Sequence, residues 1–328
     1  MFAGLLNKGL RGGLVLLILT FLISATFNYF SKVALETDNY PNLFYNYFTQ
    51  NIRSKFVINF LNFLFIGIGV FLINLIAINQ EIADKQNYFP VFLYLLLCVS
   101  SANPFQITPQ IFTNVFILFS IYKLLDTYRK DKVFKQVFEA AFWLSACAFI
   151  TVSSIICFPL FFVILFILRP FNWQEWAVAF IGFFMPPFIY ECMAYLSDFN
   201  QWYMLNAMKV YFHSFKTPSF SEYYLALSFS LFMLMITSLF YNLKNGFGNT
   251  VKKQKAKTIL LWFLVFSFFG FFAGGANSSN IILTYALPLS FFIGDLLYHI
   301  KQIKITNAVI AMLVFCVVII FLGKMGMI

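Results

Sequence analysis

Leu160-Phe-Phe-Val-Ile-Leu-Phe-Ile-Leu168 is an unbroken apolar run, and Arg169-Pro-Phe-Asn-Trp-Gln-Glu-Trp176 follows it directly. A second apolar stretch, 176–195, comes next. An apolar run, a short turn with charges and tryptophans, and another apolar run describe two membrane helices joined at an interface. A strand of a transmembrane barrel would alternate apolar and polar residues, and this run does not. Leu14–Ile23 has the same continuous character.

The rest of the 328-residue chain agrees with that stretch. Hydrophobic residues make up 61% and charged residues 10%. Soluble domains carry roughly 25% charged residues, so this chain lacks the side chains to cover a soluble surface. Intrinsic disorder needs the opposite balance. The expected fold class is therefore all-α: a polytopic transmembrane helical bundle forming a single integral membrane domain, 1–328, with no soluble domain.

A membrane helix needs about 20 apolar residues, within a range of roughly 17–25. The hydropathy pattern predicts spans at 12–31, 56–78, 89–101, 108–124, 136–151, 155–168, 176–195, 222–241, 258–274, 281–298 and 305–323. That amounts to about 11 spans, within a range of roughly 9–13. The first span reads as a retained helix and not a cleaved leader, because its apolar run is long and no small-residue cleavage site follows. The pairs 89–101 with 108–124 and 136–151 with 155–168 read as short, broken hairpins. Asn103-Pro104 interrupts the first and Thr151-Val-Ser-Ser154 the second. Broken backbone cannot face lipid, so these hairpins must be buried among other helices or line a polar cavity.

The formal charge of +10 does not point to nucleic acid. The basic residues lie at the ends of apolar runs, as cytoplasmic loops of membrane proteins require. With the N-terminus cytoplasmic, most of the 22 basic residues fall on the cytoplasmic side. Only Lys32, Arg53, Lys55, Lys209, Lys216 and Lys324 fall on the other. The expected placement is a multi-pass protein of a cell inner membrane, N-terminus cytoplasmic and C-terminus periplasmic.

No P-loop or glycine-rich dinucleotide fingerprint is present, and Gly12-Gly13 and Gly274-Gly275 lack the required spacing. Neither a cofactor nor a metal is expected. Cys98, Cys147, Cys157, Cys192 and Cys316 lie in or at the end of apolar runs without metal-ligand spacing, so they read as packing residues. No internal repeat is evident, which weakens an inverted-repeat transporter.

Water-facing chemistry is expected in two outer loops. The first, 32–55, carries Glu36 and Asp38 before Pro41, and then Phe44, Phe48 and Ile52 at helical spacing, as in a short interfacial helix. The second, 196–221, is aromatic-rich and carries Asp198, His213 and Lys216. Glu36, Asp38, Asp198 and Glu191 could form an acidic site, with a carboxylate as general base toward a sugar or lipid hydroxyl. Arg53, His213 and Lys216 would hold phosphates. Ordinary solvated loop charges explain the same residues. Inside the spans, Glu139 and Asp295 stand out, yet Glu139 follows Lys135 by four residues and Asp295 precedes His299 by four and lies close to Lys301. Helix-end pairing accounts for both. Asn172 is expected to cap the helix after Pro170, with Glu175 as its capping-box partner.

The stretch Tyr88 to Pro187 resembles a family of uncharacterised polytopic inner-membrane proteins of the Bacteroidota. The matching features are Tyr88-Phe-Pro-Val-Phe-Leu-Tyr94, Ala102-Asn-Pro-Phe105, Asn114-Val-Phe-Ile-Leu118, Lys123-Leu-Leu-Asp-Thr-Tyr-Arg129, Phe138-Glu-Ala-Ala-Phe142, Phe158-Pro159, Arg169–Trp176, Gly182 and Pro186-Pro187. Ala141-Phe142 departs from the family, which has a glycine near that point. The resemblance implies no activity. A looser architectural resemblance, carried by a first span, an acidic outer loop and paired short helices, is to membrane-embedded (GT-C-like) glycosyltransferases that use polyprenyl-phosphate-linked sugars. It implies Asp38 or Glu36 as the base, membrane lipids and a polyprenyl-phosphate-linked glycan as partners, and a role in envelope biogenesis. The alternative is a non-catalytic membrane subunit that scaffolds an envelope assembly or export complex beside a membrane-protein partner.

Overall fold

The computed structural model describes residues 55–82, 87–101, 109–169, 171–196, 222–244, 250–274, 278–300 and 302–324, with positions 206, 208 and 209. Among the described residues the regular structure is entirely helical. The α-helices, in chain order, are α1 (Lys55–Asn79), α2 (Phe89–Ser101), α3 (Pro109–Leu125), α4 (Phe134–Ile150), α5 (Cys157–Leu168), α6 (Trp173–Leu196), α7 (Glu222–Lys244), α8 (Val251–Gly274), α9 (Ser278–His299) and α10 (Ile303–Lys324). A short 3₁₀ turn, Val152–Ile156, joins α4 to α5. Each helix coincides with one of the spans from 56–78 onward. The first span, 12–31, and the interfacial helix of the first outer loop lie outside the described residues. Five helices, α1, α6, α7, α9 and α10, are long and apolar enough to cross a membrane. The others are shorter or, in α8, begin with a lysine-rich turn.

Burial separates central from peripheral helices. In α9, 72% of the apolar window is buried, against 22% in α6. Helix α2 has only 13 residues, and every one of them is buried. It lies against α9, α1 and α10, as a helix too short to span on its own must. The α2–α9 contact is close because position 294 is glycine: a Cβ there would lie 2.7 Å from the Pro90 ring. Gly182 does the same for α6 on α4, where a Cβ would meet the Ala141 Cβ at 2.8 Å and the Phe138 carbonyl at 2.9 Å. Small residues at such crossings let helix backbones approach in the absence of a hydrophobic driving force between helices.

The outward surface of α6 carries Phe180, Ile181, Phe184 and Phe188, all exposed. Its inward surface joins α5 in an aromatic cluster of Phe158, Phe161, Phe162, Trp176 and Phe183, with ring centroids 4.2–6.0 Å apart. Pro186 and Pro187 lie inside α6. Pro187 has no N–H for the Phe183 carbonyl, and the Ser145 hydroxyl of α4 donates to that oxygen instead at 2.7 Å.

The helix ends gather into two rims. At one, the end of α1 meets the end of α3 and the start of α8, and Lys255 of α8 donates to the Leu168 carbonyl at the end of α5. At the opposite rim, Tyr224 of α7 donates to the Ser100 carbonyl of α2, and the Thr113 and Thr151 hydroxyls are 2.9 Å apart. The first rim carries Lys123, Arg129, Lys130, Lys132, Lys135, Arg169, Lys244, Lys252, Lys253 and Lys255. It is the basic rim.

Candidate functional site

The six outer-loop candidates, Glu36, Asp38, Arg53, Asp198, His213 and Lys216, lie outside the described residues. Glu191 is described and sits half-buried on α6. The polar chemistry that the structure does assemble is at and beneath the basic rim.

Its deepest element is a charge cluster between α7, α8 and α9. Lys257, on the second turn of α8, is 4% exposed, and Asp295 of α9 is 2% exposed. The Lys257 ammonium donates to Asp295 Oδ2 at 2.7 Å and to Asn242 Oδ1 of α7 at 2.6 Å. Asn242 in turn donates to the Ser238 carbonyl, and the Ser238 hydroxyl donates to the Phe292 carbonyl of α9. Three helices are thus closed into one polar circuit. The second carboxylate oxygen, Asp295 Oδ1, is buried without a hydrogen-bond donor among the described residues. Lys253 Nζ is 4.0 Å from it and His299 Nδ1 3.7 Å. The His299 ring nitrogen contacts the Asp295 carbonyl oxygen at 2.8 Å. The expected local pairing of Asp295 with His299 is therefore present, but the shorter contact is with Lys257 of another helix.

Glu139 follows the same pattern. The expected Lys135 partner stands at 3.9 Å, while Lys123 of α3 is at 2.7 Å. At the α5–α6 turn the Asn172 side chain accepts the Gln174 N–H at 3.1 Å and so caps α6. Glu175 does not turn back to complete a capping box. Its carboxylate, nearly buried, takes Arg169 Nε at 3.2 Å. Arg169 also donates to the Thr127 and Lys130 carbonyls. The turn therefore staples α5 and α6 onto the chain just past the end of α3. Trp176 packs on Phe162 and Phe171, whereas Trp173 is largely exposed.

Beside these pairs the basic rim opens into a cleft of about 660 Å³. Its walls are Asn79, Gln80 and Glu81 at the end of α1, Tyr122, Leu125, Asp126, Tyr128, Arg129 and Lys130 at and just past the end of α3, and Thr250, Val251 and Lys252 at the start of α8. Lys252 donates to the Asn79 carbonyl at 2.6 Å, closing an end carbonyl of α1. Asp126 and Lys130 pair at 2.6 Å. Two residues on these walls, Glu81 and Arg129, have positive φ, 57° and 60°. Glu81 occupies the left-handed position of a Schellman-type end, with the Ile82 N–H bonded to the Ala77 carbonyl. Glycine fills such positions most easily, and another residue there costs roughly 1–2 kcal/mol.

What the cluster does chemically follows from its pairing. A buried carboxylate and a buried ammonium are tolerated because each compensates the other, and removing one leaves an uncompensated charge. The signal for Lys257 was present in the sequence. Lys253 and Lys257 are four residues apart, hence on one face of a helix, and Asp295 inside a span needs a cation. A span that begins at 258 leaves both lysines outside it, whereas α8 begins at Val251. Among the described residues, no three of His, Cys, Asp and Glu converge as metal ligands. Comparison of the chain with protein-family models, with curated proteins and with solved structures returned no match.

Proposed function

We propose that this chain is a multi-pass inner-membrane protein of about 11 spans that works in envelope biogenesis. Its basic rim and N-terminus face the cytoplasm and its C-terminus faces the periplasm. In this reading it transfers or polymerises sugars from a polyprenyl phosphate carrier at the periplasmic face. Asp38, or Glu36, is the base, and Arg53, Asp198, His213 and Lys216 hold the substrate and its phosphates. The observation that supports it is the division of labour along the bundle axis. Asp295, Glu139 and Glu175 are each paired to a cation at the basic rim, which fits an anchoring role for that end. The reading places the base among the acidic residues of the outer loops, away from these anchoring pairs. The resemblance of 88–187 to the Bacteroidota family is consistent with the location and silent on the reaction.

A second reading, a non-catalytic membrane subunit of an envelope assembly or export complex, draws on the Arg169–Glu175 staple. The segment most specific to the family resemblance has a purely architectural use.

Asp38→Asn and Glu36→Gln, singly and together, separate the two. Envelope glycans and carrier-linked intermediates are followed in cells. The transferase reading expects the double variant to accumulate carrier-linked precursor at normal protein levels. Unchanged glycans, where deletion of the whole protein does change them, would leave only the subunit reading.

A further inference from the structure

Among the described residues, three charged side chains on the walls of the cleft, Glu81, Arg129 and Lys252, form no ion pair. Among the described residues Glu81 forms no ion pair, and its carboxylate accepts only the Thr250 hydroxyl, at 3.2 Å. Arg129 also forms no ion pair there, and its guanidinium lies 5.3 Å from the Tyr128 ring centroid. Asp126 and Lys130 pair with each other, and the Lys252 ammonium is held on the Asn79 carbonyl. Glu81 and Arg129 therefore present opposite charges from different walls of one cleft without touching each other. Both stand at left-handed backbone positions that glycine would fill more easily. Asn79 closes a 20-residue apolar span, so the cleft lies at the depth where lipid headgroups begin.

We propose that this cleft binds a phosphoethanolamine group, its phosphate on the Arg129 guanidinium and its primary ammonium on the Glu81 carboxylate. A zwitterion bridges two separated charges of opposite sign, whereas a simple anion satisfies only one and leaves Glu81 repelling it. The 660 Å³ cleft is large enough for the headgroup of a phospholipid with its acyl chains leaving along the apolar flank of α1. The primary ammonium matters because three N–H donors can reach the carboxylate, and a trimethylammonium has none. The inference needs the rim at a membrane boundary but not a particular side of it, so it stands apart from the transferase reading.

The test is native mass spectrometry of the delipidated full-length protein in detergent, titrated with phosphatidylethanolamine, phosphatidylcholine or phosphatidylglycerol. The binding site predicts retention of phosphatidylethanolamine about tenfold above phosphatidylcholine, the ratio expected for charge-assisted hydrogen bonds to one head. Glu81→Gly should bring that ratio close to one, and Arg129→Gly should weaken both lipids together. Both glycines relieve the backbone, so a loss of binding cannot be blamed on misfolding when melting temperature is read in parallel. Soluble glycerophosphoethanolamine identifies the source: displacement of the lipid shows that the headgroup alone is read, and retention shows that the lipid form is required, either of which upholds the site. Equal retention of the two zwitterionic lipids, stronger retention of phosphatidylglycerol, or an unchanged ratio in Glu81→Gly would overturn it.

Discussion

The Lys257 ammonium lies 2.7 Å from the Asp295 carboxylate across the α8–α9 interface, and both side chains are almost out of solvent. Asp295→Leu alone leaves a buried ammonium with only Asn242 as acceptor. The expected loss is roughly 3–5 kcal/mol, the cost of breaking a buried pair from one side. The double variant Lys257→Met with Asp295→Leu removes both charges and should recover most of that loss, since well-packed apolar replacements of buried pairs are close to neutral. Thermal melting in detergent, followed as the fraction still monodisperse, gives the comparison. A double variant as damaged as the single one would show that the pair itself is not what holds this interface.

The close helix crossings give a sharper steric contrast. Gly294→Ala places a Cβ 2.7 Å from the Pro90 ring nitrogen and Cγ, and a proline ring cannot swing aside. Overpacking of this kind costs typically about 1–3 kcal/mol. Gly67→Ala meets nothing within 4 Å and should be neutral or stabilising by up to about 1 kcal/mol, through helix propensity. Melting temperatures of the two variants should therefore move in opposite directions, or one should fall while the other holds.

At the rim, the left-handed residues make a prediction about stability that is independent of any ligand. Glu81→Gly and Arg129→Gly should each raise stability by as much as about 1 kcal/mol in lipid-free detergent, because the strained conformation no longer carries a Cβ. A drop in melting temperature for either would mean that its side-chain contacts, Thr250 for Glu81 or the Tyr128 ring for Arg129, outweigh the backbone strain.

The Arg169–Glu175 staple should be intolerant of shape as well as of charge. Arg169→Lys keeps the charge but loses the planar fork that reaches the Glu175 carboxylate and the Thr127 and Lys130 carbonyls together. A loss of about 1–3 kcal/mol is expected, in the range of a buried hydrogen bond left unmade. Limited proteolysis at 126–133 should then become faster, since that segment loses its anchor.

Most of the fold was legible because membrane spans are written in composition. The run Leu160–Leu168 and its successor fall on α5 and α6 almost residue for residue, and the brevity of Phe89–Ser101 already required the complete burial that α2 has. Side-chain partners between helices were not legible. Hydropathy ended one loop at Lys257, yet α8 begins at Val251, so the lysines belong to a helix and one of them turns inward. Glu175 looked like a capping-box residue because local spacing suits that role, and a tertiary partner, Arg169, took it instead. Sequence periodicity reports which face is buried. It does not report which of several buried polar groups will meet.

In the proposed topology the basic rim is cytoplasmic and the opposite rim periplasmic, which is what sets the outer loops apart as the place for chemistry. Paired reporter fusions test it: alkaline phosphatase, active only after export, and a green fluorescent protein, fluorescent only in the cytoplasm. Each is joined after Asn249, in the link between α7 and α8, and after Ile328. The account predicts fluorescence without phosphatase activity at Asn249, and phosphatase activity without fluorescence at Ile328. Phosphatase activity at Asn249, or fluorescence at Ile328, would contradict it.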